Sequence, residues 1–373
     1  MIPRFHATKG YTNDPNGLVF FKGLYHVFFQ SADGRMNNLE QPVCWGHAVS
    51  RDLVQWQQVE NALLPDQPYE KDRGCWSGSA VVKDDKLYLF YTGAARPCAS
   101  VNVAWSEDGI HFEKYAENPV IPRGPEDADS WEFRDPKVQK IGDVYHMVVG
   151  NSANGIGRVV RYTSTDLLHW EYAGVLYENR ELGTMLECPD FFPLEDRYVL
   201  MVSLYSRRAV MIVGTFDGEH FYAERICQPE QGCSFYAPQS FQAPDGRRLM
   251  LGWAFEAEPR PGSTYVGGMT VMRQLRLEGN QICSEPVREL TPLLKAADPR
   301  VQITENGVQL FRPDGRPFGY SSAFLHTPAV AFAGERPLRY DGPVENVRIL
   351  RDEDWLEVFI NNGTCNFTVY ASR

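Results

Sequence analysis

Three acidic residues are candidates for acid–base or nucleophilic chemistry. Asp14 lies in the stretch Asn-Asp-Pro-Asn-Gly, Asp135 in Arg-Asp-Pro and Glu187 in Glu-Cys-Pro-Asp, and each stretch precedes a strand-like run. A proline restrains the residue before it to an extended backbone, so the carboxylates of Asp14 and Asp135 should be held in place. Taken singly, each stretch is more typical of an ordinary surface turn than of a catalytic site. Their function therefore depends on whether the fold brings them together.

The elements that must position these acids follow an internal repeat. Four times, a Ser or Thr, any residue, an Asp and then a Leu or Gly precede an aromatic residue. Strand-like runs recur in phase with this pattern, at a period of about 50 to 60 residues. Short strands and turn signals at that period are typical of β-propeller blades, so the sequence predicts an all-β, five-bladed propeller. The turn patterns begin at Ser50, Ser106, Ser164 and Thr215, and the strand-like runs cover 23–29, 86–91, 143–148, 196–201 and 247–252.

The stretch before each strand-like run should be the innermost strand of its blade. These stretches open with Asp14, Trp76, Asp135, Glu187 and Tyr236. Innermost strands converge on the central axis of a propeller, so their equivalent ends meet in one funnel. We therefore predict that three acids far apart in sequence form one carboxylate cluster.

After about residue 290 the period stops, and a second, small all-β unit follows. We predict a propeller domain over residues 1–291 and a short β-sandwich-like domain over 292–373. Within the latter, the runs 355–360 and 365–370 flank an Asn-Asn-Gly turn, which is a strong hairpin signal. A unit of this size buries little surface by itself, so it should pack on the propeller or on another subunit.

Composition limits the classes of partner. Hydrophobic residues make up 43% of the 373-residue chain and charged residues 23%, as in a globular protein with a sizeable core. Aromatic residues reach 13%, which suits an all-β core and also a carbohydrate site. The net charge of −11 argues against nucleic acid or an anionic membrane surface as a partner. The composition is compatible with a small-molecule or oligosaccharide substrate. It does not determine the oligomeric state.

The cysteine and histidine residues show no metal-ligand spacing. The eight cysteines are scattered without a Cys-x-x-Cys pair, which argues against a zinc site and a dense disulfide framework. We therefore expect no metal and no cofactor. The N-terminal residues contain no apolar signal-like region and no run approaches a membrane span, so we expect a cytoplasmic protein with reduced thiols.

The ordered motifs resemble those of glycoside hydrolase family 32, the β-fructofuranosidases, which include invertases, sucrose-6-phosphate hydrolases, levanases and inulinases. The resemblance runs in order from about residue 5 to residue 290. It implies a five-bladed propeller followed by a β-sandwich, as the repeat suggests independently. Besides the three acidic stretches, it is carried by Trp-Gly-His-Ala-Val-Ser from Trp45, Trp-Ser-Gly-Ser-Ala from Trp76 and Phe-Tyr-Ala-Pro-Gln from Phe235.

The resemblance also implies an activity and a set of site residues. It implies retaining, double-displacement release of terminal β-fructofuranosyl units from sucrose or short fructans. Asp14 would be the nucleophile and Glu187 the general acid/base, while Asp135 would stabilise the transition state and hold sugar hydroxyls. The fructose pocket would be lined by Asn13, Gln30, Trp45, Trp76, Ser77, Arg134 and Trp253.

The chemistry requires the carboxyl groups to ionise differently near neutral pH. We expect Asp14 to be ionised, Arg134 to keep the adjacent Asp135 charged, and Glu187 to hold a proton. Two departures from the family matter. The loop from Ser31 to Val43 lacks the aromatic residue that many relatives place before Trp-Gly-His, and the tail is much shorter than the usual sandwich.

Other functions are compatible with the sequence. A sucrose-6-phosphate hydrolase would need a basic phosphate contact that the sequence does not locate. A non-catalytic propeller that binds fructosides is disfavoured because all three acids are present. An arabinan-type five-bladed glycosidase fits the Asn-Asp-Pro-Asn-Gly and Trp-Ser-Gly-Ser stretches less well.

Overall fold

The structure is a computed structural model that describes residues 4–32, 34–36, 42–255, 262–279, 281–321, 335–352 and 354–370. Within these ranges the regular structure is β strands and three short 3₁₀ helices. No helix there is long and apolar enough to cross a membrane. The 3₁₀ helices cover Pro68–Glu70, Arg180–Leu182 and Arg288–Leu293.

Four consecutive groups of four strands form four antiparallel sheets, each paired in chain order as a propeller blade. Blade 1 contains β1 (Gly10–Phe21), β2 (Leu24–Ser31), β3 (Cys44–Ser50) and β4 (Trp56–Gln58). Blade 2 contains β5 (Gly74–Lys83), β6 (Lys86–Ala95), β7 (Cys98–Ser106) and β8 (Glu113–Lys114). Blade 3 contains β9 (Phe133–Ile141), β10 (Val144–Ala153), β11 (Ile156–Ser164) and β12 (Glu171–Glu178). Blade 4 contains β13 (Leu186–Leu194), β14 (Arg197–Leu204), β15 (Arg208–Phe216) and β16 (Phe221–Cys227).

The fifth blade closes the ring. It is built from β17 (Tyr236–Gln242), β18 (Arg248–Ala254), β20 (Gly268–Met269), β21 (Arg273–Glu278) and β22 (Gln281–Pro286), while β19 (Tyr265–Val266) crosses to blade 1. There β19 pairs in parallel with the start of β1. The innermost strands β1, β5, β9, β13 and β17 contact one another in turn around the axis. The predicted five-bladed propeller is thereby confirmed.

The repeated turn joins the third and fourth strands of blades 1 to 4. In blade 1, Asp52 Oδ1 accepts hydrogen bonds from the N–H groups of Val54 (2.9 Å) and Gln55 (2.7 Å). Asp108 and Asp166 accept the equivalent pairs of bonds in blades 2 and 3. The aspartate thus replaces backbone acceptors in a tight turn, which explains why this residue type recurs at the blade period.

The innermost strands share an irregularity at the end that faces the site. Near that end, each of the strands β1, β5, β9, β13 and β17 has one residue more than its partner strand between two paired positions. Asp135, Cys188 and Ala237 have φ values of 63°, 47° and 45°, which non-glycine residues rarely adopt. A β-bulge re-aims a side chain locally, so this feature turns polar groups toward the axis.

The C-terminal strands form two three-stranded sheets and a short two-stranded one. The two three-stranded sheets share a hydrophobic core that includes Val308, Leu310, Leu356 and Phe367, as a small sandwich would. The predicted hairpin is present, with Ile360 paired to Cys365. The strands are β23 (Val301–Thr304), β24 (Gly307–Leu310), β25 (Gly319–Ser321), β26 (Glu335–Pro337), β27 (Arg339–Asp341), β28 (Val347–Asp352), β29 (Trp355–Ile360) and β30 (Cys365–Tyr370).

The small unit packs on the propeller, as its apolar strands predicted. Leu350 and Phe359 belong to the same hydrophobic cluster as Val271 and Leu290 near the fifth blade. The last blade strand ends at Pro286, and Arg288–Leu293 forms the connecting 3₁₀ helix. A division between residues 291 and 292 falls inside this connector and stays a prediction.

Candidate active site

The three acids come from three different blades and line one cavity. Asp14 lies on β1, Asp135 on β9 and Glu187 on β13, each near the bulged end of an innermost strand. The cavity has a volume of about 340 Å³. The carboxylate cluster that the repeat predicted is therefore formed.

Gln30, Trp76, Ser77 and Arg134 line the same cavity, and their contact with a sugar stays a prediction. Asn13 is partly exposed beside Asp14 on β1, and its contact with a ligand stays a prediction.

The two other predicted tryptophans are buried. Trp45 is 0% exposed, so its ring cannot contact a ligand in the cavity. Its indole N–H donates to the carbonyl oxygen of Trp76 at 3.0 Å, which supports the wall from behind. The prediction of direct contact is wrong for Trp45, because β3 is the third strand of its blade and is covered by its neighbours. Trp253 is 6% exposed, packs with Tyr236 and Cys188 and is not among the described residues that line the cavity, so its contact with a sugar stays a prediction.

A chain of hydrogen bonds orients the Asp14 carboxylate. Gln30 Nε2 donates to Ser77 Oγ at 2.9 Å, and the Ser77 hydroxyl donates to Asp14 Oδ2 at 2.7 Å. Burial raises the pKa of Asp14 to about 7, with a further contribution from the Asp135 carboxylate, while the Ser77 hydrogen bond opposes this. At neutral pH a pKa of about 7 leaves part of the Asp14 population protonated, and the ionised form that the sequence predicted is the one that nucleophilic attack requires.

Asp135 is held by backbone hydrogen bonds on both sides. The Cys188 N–H donates to Asp135 Oδ2 at 2.8 Å, and the Asp135 N–H donates to Thr92 Oγ1 at 2.9 Å. Burial raises the pKa of Asp135 to about 6, although the Arg134 charge opposes the shift. Desolvation therefore outweighs the Arg134 charge in setting this pKa, but a value of about 6 still leaves the carboxyl group mainly ionised at neutral pH.

Arg134 makes its direct hydrogen bonds to other groups. Its Nη2 donates to Glu187 Oε1 at 2.9 Å and to the Tyr205 hydroxyl oxygen at 2.7 Å. Its Nη1 donates to Glu132 Oε2. The second oxygen of Glu187 accepts a short hydrogen bond from the Tyr236 hydroxyl. Glu187 is thus fixed at both oxygens, while 19% of its side chain stays exposed toward the cavity.

Five further residues line the cavity that sequence reasoning did not assign to the site: Val43, Arg73, Trp131, Glu132 and Tyr205. Trp131 and Glu132 lie just before the Arg-Asp-Pro motif, separated from it by Phe133, and this proximity is the signal in the sequence. Tyr205 lies in the turn between β14 and β15, where the repeat carries no distinctive residue. Tyr236 stood in a noted motif, but its role toward Glu187 was not predicted.

The Cys188 thiol is protonated, and the described His, Cys, Asp and Glu side chains form no metal site. All eight cysteines are free, and burial raises the pKa of the Cys188 thiol well above its usual range. The Cys188 S–H faces Asp14 Oδ2 at 3.7 Å. Among the described residues, no group of three or more His, Cys, Asp or Glu side chains is arranged to hold a metal ion.

Most of the chain matches a known protein family. Residues 4–286 match the family described as Glycosyl hydrolases family 32 N-terminal domain. The chain belongs to this family. It is 31% identical to the sucrose-6-phosphate hydrolase of Bacillus subtilis, over 95% of this chain and 85% of that protein. Against the sucrose-6-phosphate hydrolase of Zymomonas mobilis the identity is 39%, over 77% of this chain and 62% of that protein.

Solved structures agree with the fold. The family 32 β-fructofuranosidase of Bombyx mori superposes with a TM-score of 0.80 at 26% identity, covering 98% of this chain and 88% of that one. The chain spans less than two thirds of the Zymomonas relative but most of the Bacillus and Bombyx proteins. This family 32 member is therefore a glycoside hydrolase with the propeller-plus-sandwich architecture of its relatives.

Proposed function

We propose that this family 32 enzyme releases terminal β-fructofuranosyl units from sucrose or short fructans with retention of configuration. The observation that carries the proposal is the convergence of Asp14, Asp135 and Glu187 on one cavity. A retaining glycosidase needs one carboxylate that attacks the anomeric carbon and one carboxylic acid beside the leaving oxygen.

In the first step, Asp14 attacks the anomeric carbon of the fructosyl unit and the glycosidic bond breaks. Glu187 gives its proton to the departing oxygen, which leaves a fructosyl ester on Asp14. In the second step, Glu187 takes a proton from water, the water attacks the anomeric carbon, and Asp14 is released. For direct attack the two carboxyl groups should lie about 5–5.5 Å apart in the complex with substrate.

The remaining wall residues hold the fructosyl unit. The carboxylate of Asp135, fixed by the Cys188 N–H, is suited to accept hydrogen bonds from sugar hydroxyls and to stabilise positive charge at the ring. Trp76 is partly exposed in the wall and can cover an apolar sugar face. Ser77 and Gln30 fix the direction from which Asp14 attacks.

Sucrose is the first substrate to test, because the Bombyx mori enzyme was solved in complex with sucrose. Sucrose 6-phosphate is the second candidate, since several relatives of at least 30% identity are sucrose-6-phosphate hydrolases. Arg73, an exposed cation in the cavity wall, favours an anionic substituent on the leaving group. A fructose-release assay on both compounds, a short inulin-type oligosaccharide and levan would rank the substrates.

The stereochemical outcome tests the mechanism directly. Proton NMR during the first turnovers should show β-fructofuranose as the first-formed product, because two inversions at the anomeric carbon restore the starting configuration. Equilibrated fructose supplies the reference spectrum. If the α-anomer formed first, the reaction would be a single displacement by water, and Asp14 would be a general base.

The pH dependence should report the buried Asp14. Attack requires the ionised carboxylate, so kcat/KM on sucrose should fall as the pH drops through about 7. The Ser77 hydroxyl stabilises that carboxylate, so Ser77→Ala should move this acid limb to higher pH. The matched control is Ser79→Ala on the same strand, whose hydroxyl accepts from the Val138 N–H instead. An acid limb at the same pH in Ser77→Ala and its parent would contradict the assignment.

A further inference from the structure

The segment that precedes β9 contributes two side chains to the cavity. Moving back from Asp135 and Arg134, which are 6% and 8% exposed, the chain reaches Glu132 and Trp131, which are both partly exposed. Both of these residues line the same cavity as the acids. Trp131 and Glu132 are thus more exposed than the three residues that follow them, which places both nearer the solvent, the side from which a leaving group departs.

This segment is firmly held. Asp129 Oδ1 accepts from the N–H groups of Trp131 at 2.8 Å and Glu132 at 3.0 Å. The Ser152 N–H and the Asn151 side chain donate to the Glu132 carbonyl oxygen at 3.2 and 2.8 Å. The segment is therefore fixed to blade 3 before any ligand arrives.

The indole of Trp131 is itself fixed by two neighbours. The Trp76 ring meets it edge to face, with centroids 5.2 Å apart and an interplanar angle of 70°. The Arg96 guanidinium carbon lies 4.9 Å from the centroid of the Trp131 ring. Such contacts hold an aromatic ring in one orientation, and a ring fixed in advance costs little ordering entropy on binding.

A polar acceptor lies beside this ring. Glu132 Oε2 accepts from Arg134 Nη1 and from the Tyr205 hydroxyl at 3.0 Å. The side chain of Glu132 keeps 27% of its surface exposed. A fixed aromatic face next to an anchored carboxylate suits a hexose, whose C–H groups need an apolar surface and whose hydroxyls need acceptors.

We propose that Trp131, with Glu132 beside it, forms the binding site for the leaving-group hexose and determines specificity for that part of the substrate. The inference rests on the proposed function, because it takes the fructosyl unit to occupy the acids. It assigns this part of the cavity to the sugar that departs. Trp131 acts on recognition and takes no part in bond breaking.

The test compares sucrose with methyl β-D-fructofuranoside, which has the same fructosyl unit without a hexose. Trp131→Ala should lower kcat/KM on sucrose by about tenfold, mainly through KM, since the contact is made before the transition state. On the methyl fructoside it should change kcat/KM by less than about twofold. Trp131→Phe keeps an aromatic face and should recover most of the activity on sucrose.

Trp105→Ala is the matched control. Trp105 is also partly exposed and carries a cation over its ring, with Lys86 Nζ 3.9 Å from the centroid, but it does not line this cavity. Trp105→Ala should leave kcat/KM on both substrates unchanged. Equal losses of Trp131→Ala on the two substrates, or no loss on either, would overturn the proposal. A parent enzyme that released fructose from neither substrate would instead overturn the proposed activity on sucrose, on which this inference rests.

Discussion

Glu187→Gln should lower turnover of sucrose by about a hundredfold or more, while a fructoside with a good leaving group should retain far more activity. Glutamine keeps the size of the side chain but has no proton to give to the departing oxygen. A poor leaving group such as the glucosyl oxygen depends on that proton, whereas an activated aryl oxygen does not. The measurement is kcat on sucrose and on an aryl β-fructofuranoside, for parent and variant.

Glu132→Gln provides the control within the same cavity. Glu132 shares Arg134 with Glu187, so the substitution perturbs the arginine without touching the proposed acid. Because Glu132 is proposed to contact the leaving hexose, Glu132→Gln should raise KM on sucrose more than on the aryl substrate, but it should not lower kcat on sucrose selectively. Equal losses of kcat on the two substrates in Glu187→Gln would remove Glu187 from the role of acid, and a selective loss of kcat on sucrose in Glu132→Gln would transfer that role.

The propeller and the acid cluster could be predicted because both follow from a repeat. Asp52, Asp108 and Asp166 occupy the same turn in successive blades, and one turn geometry demands one residue type. Once the blade period is known, equivalent strand starts must converge on the axis. Asp14, Asp135 and Glu187 were therefore placed together without any knowledge of their distances.

The electrostatics could not be predicted in the same way. Arg134 adjoins Asp135 in sequence, yet its hydrogen bonds go to Glu187, Glu132 and Tyr205 because the bulge turns the two neighbouring side chains apart. Desolvation, which dominates the pKa values of both aspartates, depends on how five blades cover the cavity. The extent of desolvation is therefore a property of the assembled fold, and no single stretch of sequence determines it.

The tryptophans show a further limit of sequence reasoning. Trp45, Trp76 and Trp131 are chemically alike, and a tryptophan serves a core and a sugar site equally well. Trp45 is fully buried, whereas Trp76 and Trp131 line the cavity. The difference lies in which strand or loop carries each ring and in what covers it. Trp131 was missed because it precedes the innermost strand, outside the repeated elements.

The second large effect should appear in stability, at the junction between the propeller and the C-terminal unit. Glu357 on β29 is fully buried and accepts hydrogen bonds from Arg4 Nη2 and Arg273 Nη2, both at 2.7 Å. Arg273 also donates to Glu230 Oε2 at 2.8 Å and to Thr368 Oγ1 at 2.6 Å. The network thus joins the N-terminal segment, the connector between the fourth and fifth blades, the fifth blade and the C-terminal sheet through charges that are almost fully buried.

Glu357→Ala should destabilise the protein by about 3–5 kcal/mol, because it leaves buried guanidinium groups without their counter-charge. Glu278→Ala is the control, since its ion pair with Arg276 is exposed and 3.5 Å long and should contribute less than about 1 kcal/mol. Urea unfolding of both variants measures the difference.

The same coupling predicts that deleting residues 292–373 gives insoluble or heat-labile protein, since it exposes the apolar face under β29. A soluble truncated protein as stable as its parent, or a Glu357→Ala variant that unfolds at the parent's urea concentration, would show that the small unit adds nothing to the propeller.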